Sequence, residues 1–436
     1  GTAPGCNGMI RFLYNLLFPF ALLFFLPGYV LKMLRRGNYR AKFGQRLGIY
    51  NRATRIRLSG GRHTWVHAVS VGEVMIALKL VATMKKHEPA LRIALTTTTT
   101  TGFALAARDA PDWMEVLYTP LDFWPVMHRA FVLIRPVRII LVEAEVWPNL
   151  TALAHRRRIP LALVNARLSP RSEARFQHFR GIVRPIFAQL DLVCVQAPDD
   201  LARWESLGVP RARLQQVGSI KFDPVNEAPA PAQPRAFLEQ IGVADTRPVL
   251  LAGSTHADEE EILGRVFLTL REEFFDLFLV LAPRHVERTG EIENTLRALG
   301  LSTISRSSGD RNGDVLLLDT TGELRDWYAV ATIVFIGKSL TARGGQNPVE
   351  AIVADRPVIF GPHMENFARL AERLLENGGA VQAENESALT NAAAVLLRDP
   401  AARARLAERA REVLAPHRGA TERTAALLRN LTAPSA

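Results

Sequence analysis

The stretch His67-Ala68-Val69-Ser70-Val71-Gly72-Glu73 ends an apolar run from Trp65 to Val71 and holds the first acidic residue of the chain. The run reads as a strand. Val74, Ala77, Leu78 and Val81 then recur at helical spacing, which sets Glu73 in the first turn of a helix. The helix dipole favours an ionised carboxylate there, and Gly72 permits a sharp turn and the close approach of a ligand. Such a carboxylate, at the C-terminal end of a parallel strand, can take a proton from a sugar hydroxyl. Ser70-x-x-Glu73 is equally a capping box, in which each side chain satisfies the other's backbone N–H. The pattern alone leaves both readings open.

Other polar groups follow apolar runs in the same way. Glu143-Ala-Glu145-Val-Trp147-Pro148-Asn149 ends the strand at Ile139–Val142. Two carboxylates two residues apart share a face only if the chain is extended; the alternative is helix capping by acids near Pro148. Lys221, in Gly218-Ser219-Ile220-Lys221-Phe222-Asp223, can pair with a carboxylate or phosphate or stay a solvated lysine. Gly253-Ser254-Thr255-His256 and Ala282-Pro283-Arg284-His285 place cationic groups at a second sheet edge, and Arg284 suits a phosphate. In Gly344-Gly345-Gln346-Asn347-Pro348-Val349-Glu350 the glycines permit close approach, Asn347 can cap and Pro348 fits the first helical position. Glu350 then lies in the first turn, able to accept from ribose hydroxyls. Thr96–Thr101 reads as a strand end running into a loop. Gly337-Lys338-Ser339 is no P-loop, because position 332 is Thr332.

These residues need elements to hold them. Apolar runs at 64–71, 92–98, 115–118, 138–143, 160–165, 191–196 and 214–218 alternate with helical stretches, as do 248–253, 277–282, 315–318, 333–336 and 357–360. Alternation of this kind means parallel sheets covered on both faces. The expected fold is α/β, with two facing doubly wound domains. The expected boundaries are a leader, anchor and basic segment over 1–50, a first domain over 51–222, a Pro/Ala linker over 223–235 and a second domain with a closing helix over 236–436.

Net charge is +11, and its placement is informative. Residues 1–72 hold eleven Lys or Arg and no acid, and the rest is balanced. A nucleic-acid enzyme would spread its basic residues over a binding face. A basic block beside an apolar run fits an anionic membrane surface instead. Phe12–Leu31 is a 20-residue run without charge, followed by Lys32, Arg35, Arg36, Arg40, Lys42 and Arg46. As a helix it would span roughly 30 Å, about a bilayer core. Asn15, Pro19 and Pro27 favour the rival reading, a kinked helix lying in one leaflet; a cleaved signal peptide lacks a small-residue site after the run. The positive-inside rule keeps the body in the cytoplasm. Residues 1–8 precede Met9, where the patterned sequence begins, and are set aside. The two cysteines, Cys6 and Cys194, give neither a disulfide nor a metal spacing.

Taken together these motifs resemble the 3-deoxy-D-manno-octulosonic acid (Kdo) transferases of lipid A biosynthesis. The likeness runs from about Phe12 to about Asn366. It rests on the motifs above together with Asn165-Ala166-Arg167-Leu168-Ser169 and Gly361-Pro362-His363. It implies a GT-B fold on the cytoplasmic side of the inner membrane. It also implies metal-independent, inverting transfer of Kdo from CMP-Kdo to the lipid A precursor lipid IVA, with no cofactor. Carried over by position, Glu73 is the general base, and Glu143 and Lys221 stabilise the transition state. Pro283, Arg284, Thr321, Gly322, Glu323, Asn347, Pro348, Val349 and Glu350 hold CMP. Three positions depart from the family's common pattern: Lys338 for glycine, Ala342 for glutamate and Gln346 for histidine. A GT-B transferase or epimerase using a UDP-sugar, and a non-catalytic membrane-bound binding protein of the same fold, are the alternatives.

Overall fold

Among the described residues, fourteen strands form two all-parallel sheets. The structure, a computed structural model, describes residues 4–36, 42–144, 146–224, 229–308 and 312–431. The chain divides into two compact units, Gly1–Asp223 with His417–Ala436, and Pro224–Pro416.

In the first unit the strands are β1 (His63–His67), β2 (Ile93–Thr97), β3 (Met114–Tyr118), β4 (Pro136–Val142), β5 (Leu161–Ala166), β6 (Leu192–Val195) and β7 (Leu214–Gln216). They pair in the order β3-β2-β1-β4-β5-β6-β7. Successive residues point to opposite faces of the sheet. Trp65, Ile139 and Leu163 therefore join one core with Phe131 and Trp204. Val66, Ile140 and Val164 join the other with Val74 and Leu80. Cys194 is buried in β6 as a free thiol.

The second unit repeats the plan with β8 (Val249–Thr255), β9 (Phe278–Pro283), β10 (Thr303–Ser305), β11 (Val315–Leu317), β12 (Ile333–Ile336), β13 (Val358–Phe360) and β14 (Val381–Gln382). Their order is β10-β11-β9-β8-β12-β13-β14. The edge strands β10 and β14 are three and two residues long and are absent from the sequence reading, since so short a segment carries no periodicity.

Each sheet has a central switch point, between β1 and β4 in the first unit and between β8 and β12 in the second. Crossover connections leave on opposite faces at such a point. In sheets of this kind ligands bind beyond the carboxyl ends of the strands at such a point.

The chain end departs from expectation. The helix Ala420–Arg429 belongs to the first unit, where it packs on the helix that carries Glu73. The Asp223 carboxylate fixes it by accepting from the N–H groups of Gly419 (2.8 Å) and Thr421 (2.8 Å).

The apolar run also departs from its spanning reading. It lies within a helix, Pro4–Arg36, but among the described residues no helix is long and apolar enough to cross a membrane. Asn15 docks this helix on the first unit. It exchanges amide hydrogen bonds with Asn149 (2.9 and 3.0 Å) and accepts from the Trp124 N–H (3.0 Å). Phe18 stacks on Phe123 with centroids 5.4 Å apart. Phe12, Leu16, Leu17, Phe20, Leu23 and Phe24 remain exposed. Arg46, expected among the head groups, is built into the fold: it is buried, donates to the Thr98 carbonyl (2.6 Å) and lies over the Tyr118 ring. Lys42 lies over Phe103. The side chains of Lys32, Arg35 and Arg36, and the whole of Arg40, fall outside the described residues.

Candidate active site

The first candidate site lies beyond the carboxyl ends of β1 and β4. Beyond β1 the residues Ala68–Ser70 make the turn, and the helix Val71–His87 starts at once. Gly72 does not supply a positive φ; it lies in the first turn, where a Cβ would meet nothing closer than Ser70 Oγ at 3.9 Å. Its contribution is open space beside Glu73. The capping box forms. Ser70 Oγ accepts from the Glu73 N–H (3.4 Å), and the Glu73 carboxylate accepts from the Val69 N–H (2.9 Å) and the Ser70 hydroxyl (2.9 Å). These bonds fix the direction of the carboxylate. Glu73 is 8% exposed.

A polar layer supports this turn from below. His67 is buried with Nδ1 3.0 Å from Thr96 Oγ1, and burial pushes its imidazole down to about 4, which keeps it neutral. Trp65 Nε1 donates to the same hydroxyl (2.9 Å), while Thr97 and Thr99 bond the Val69 carbonyl (3.3 Å each). The threonine run thus ends β2 and braces the Glu73 loop, and Thr99 caps the next helix through the Gly102 N–H (3.0 Å).

Across the switch point, β4 ends at Glu143. Glu143 takes a left-handed φ of 64° and the chain turns there instead of running on extended; Glu145, the other member of the expected pair, lies outside the described residues. The acid that caps the following helix is Asp122. It is buried and accepts from the N–H groups of Asn149 (2.9 Å) and Leu150 (2.9 Å). Burial pushes its carboxyl up to about 6, against these bonds and one from Tyr14.

Lys221 lies near Glu143 and Arg167. Burial pulls its ammonium down from the usual lysine range, with Glu143 opposing and Arg167 adding to the shift. Asn165 sets its loop: Oδ1 accepts from the Ile220 N–H (3.0 Å) and the Ser219 hydroxyl (3.3 Å). Asn165 itself sits at φ 51°. The structure therefore brings Glu143, Arg167 and Lys221 together from the ends of β4, β5 and β7.

In the second unit β9 ends at Pro283. The Arg284 N–H donates to the Thr255 carbonyl (3.0 Å), and the Arg284 side chain is exposed. His285 stands 5.7 Å from His256, centroid to centroid. A residue the motif reading passed over organises this edge. Glu259, fully buried, accepts from the N–H groups of His256 (2.9 Å), Lys338 (2.7 Å), Ser339 (2.9 Å) and Leu340 (3.0 Å). It ties the loop after β8 to the loop after β12.

Asn347 Oδ1 accepts from the Val349 N–H (3.2 Å), and the helix it introduces is short, Val349–Val353, with Pro348 just before it. Glu350 is largely buried. Burial raises its carboxyl above the usual range, with Arg325 opposing and Asp326 adding. Gly322 has φ 92°, and the Glu323 carboxylate is already engaged by Arg306 Nε (3.2 Å) and Trp327 Nε1 (3.4 Å).

Residues 41–224 match the sequence model of a family described as 3-Deoxy-D-manno-octulosonic-acid transferase (kdotransferase). A 3-deoxy-D-manno-octulosonic acid transferase of Haemophilus influenzae is 34% identical over 396 residues, covering 90% of this chain and 92% of that protein. The Bordetella pertussis protein of that name is 36% identical over 372 residues, covering 83% and 85%. Among solved structures, the UDP-GlcNAc 2-epimerase of Neisseria meningitidis bound to UDP-GlcNAc superposes with a TM-score of 0.50 at 12% identity, covering 84% of this chain and all of that one. That likeness is one of fold, the pair of doubly wound α/β domains of the GT-B class.

Proposed function

The chain belongs to the 3-deoxy-D-manno-octulosonic acid transferase family, and from that premise we propose that it moves Kdo from CMP-Kdo to lipid IVA, with inversion and without a metal, at the cytoplasmic face of a bacterial inner membrane. The hydroxyl oxygen of the acceptor glucosamine attacks the anomeric carbon of Kdo. The bond from that carbon to the CMP phosphate oxygen breaks, and CMP departs with the electron pair. The hydroxyl proton passes to Glu73.

Glu143 faces the positive charge that spreads onto the sugar ring, where a fixed carboxylate shielded from water is worth more than one in solution. Lys221 orients Glu143. Arg284 receives the phosphate by a charge-assisted contact. Asn347–Glu350, with Thr321-Gly322-Glu323 and Pro283, line the nucleotide, and Glu350 accepts from the ribose hydroxyls. The exposed apolar residues of the N-terminal helix support contact with the membrane that holds the acceptor, whose phosphates suit the basic N-terminal segment.

The observation that carries this reading is the Glu73 carboxylate, held by the Val69 N–H and the Ser70 hydroxyl at the switch point of the first sheet, with Glu143 ending the neighbouring strand. The test is a product assay. Incubated with CMP-Kdo and detergent-dispersed lipid IVA, the protein should add Kdo mass to the lipid and release CMP. An unmodified acceptor, with a UDP-sugar consumed instead, would contradict it.

A further inference from the structure

We propose that Lys338 is a specificity-determining contact of this chain, binding an anionic oxygen of the donor; the proposal rests on the donor assignment above. Lys338 lies two residues beyond β12, at the switch point of the second sheet, opposite the loop that follows β8. Its backbone is in the left-handed region, φ 56°. Glycine adopts that conformation freely, whereas a side chain is strained there. The conformation is imposed from outside: Glu259 accepts from the Lys338 N–H (2.7 Å), and the Lys338 carbonyl accepts from the Gly345 N–H (2.9 Å). Glycine would meet both bonds without strain. What lysine adds there is its side chain.

That side chain runs over the glycine pair of the donor loop. Its Cε is 3.6 Å from the position a Cβ at Gly344 would take. Gly344 (φ 120°) and Gly345 (φ 68°) leave the space it occupies. Lys338 is half-buried, and among the described residues its ammonium makes no ion pair or hydrogen bond. Neither nearby carboxylate is hydrogen-bonded to the ammonium among the described residues. Glu259 gives its oxygens to four backbone N–H groups, and Glu365 is taken by the Gly344 N–H (2.6 Å) and His363 (3.5 Å). His256 feels the Lys338 charge, and His285 and Arg284 stand beside it on the same edge. A half-buried ammonium that no carboxylate pairs with among the described residues, on the sheet edge that also carries Arg284, is placed to meet an anion.

The donor has two anionic groups, the phosphate and the carboxylate of the sugar acid. The experiment separates them. K338G and K338M are made in the full chain, with K338R as the conservative variant. CMP affinity is measured by calorimetry, the Michaelis constant for CMP-Kdo by product mass, and the melting temperature of each protein by calorimetry. A phosphate contact predicts roughly tenfold weaker CMP binding in both K338G and K338M. A carboxylate contact predicts unchanged CMP binding with a roughly tenfold higher Michaelis constant. In either case K338R keeps most of the wild-type behaviour, and K338G melts no lower than wild type, because the backbone strain is relieved. CMP affinity and Michaelis constant both within twofold of wild type in K338G and K338M would overturn the proposal. A lower melting temperature in K338G with unchanged binding would do so too. A wild-type protein that binds no CMP and turns over no CMP-Kdo would instead overturn the donor assignment, and this proposal with it.

Discussion

Replacing Glu259 with glutamine tests the organisation of the second unit, because one side chain there satisfies four backbone donors. Oε1 accepts from Ser339 and Leu340, and Oε2 from His256 and Lys338. An amide has only one acceptor oxygen. Whichever position its NH₂ takes, it faces two N–H groups that then have no partner. Each hydrogen bond to a charged group contributes about 1.5–3 kcal/mol, so losing two costs about 3–6 kcal/mol. That is a large part of the ~5–15 kcal/mol that holds a domain together. Calorimetry of Glu259→Gln should show one transition moved to lower temperature while the other stays in place, and CMP affinity should fall, since the loops after β8 and β12 lose their common tie. Unchanged melting together with unchanged CMP affinity would refute the reasoning.

Arg284→Ala should weaken CMP binding about tenfold, and EDTA should leave it unaltered; affinity that vanishes with EDTA would contradict the metal-free reading. Asn15→Ala leaves the fully buried Asn149 without its amide partner and should destabilise the first unit by about 1–3 kcal/mol in urea unfolding. If stability is unaltered, the helix Pro4–Arg36 is not docked through Asn15. His67 gives a pH dependence of defined sign. Its folded value, pushed down to about 4, lies below the unfolded value of about 6.5, so its contribution is present above pH ~6.5 and is lost as pH falls towards 4. The loss approaches roughly 3 kcal/mol at a cost of ~1.4 per pH unit. Melting temperature against pH should therefore fall less steeply for His67→Gln than for wild type over that window, and parallel curves would contradict the assignment.

The strands and the placing of the candidates at their ends were legible because parallel strands advertise themselves. Continuous apolar runs mark them, and polar residues at their C-terminal ends mark the functional edge. Glu73, Glu143 and Arg284 were singled out as candidates this way, and each does follow a strand end. What escaped depends on contacts distant in sequence. Glu259 sits in a run of acids that reads as an ordinary helix start, and three of its four donors lie about eighty residues away. Asp122 caps a helix 27 residues on. The left-handed turn at Glu143 has no glycine to announce it. Asn15 looked like a flaw in a spanning helix. It is instead the point where that helix meets Asn149, and a lone polar residue in an apolar run cannot show whether lipid or protein will face it. The final helix returned to the first unit because Asp223 caps it, a pairing across almost two hundred residues.

The central claim is that Glu73 takes the proton and does not merely cap its helix. Turnover of CMP-Kdo and lipid IVA by Glu73→Gln tests it most directly, with melting temperature and CMP affinity measured alongside. Glutamine keeps an acceptor for the capping box but cannot hold the proton. The account predicts a folded protein with wild-type CMP affinity and transfer slowed by about 10²–10⁴-fold. Turnover near the wild-type rate would contradict it and leave Ser70 and Glu73 as a cap alone.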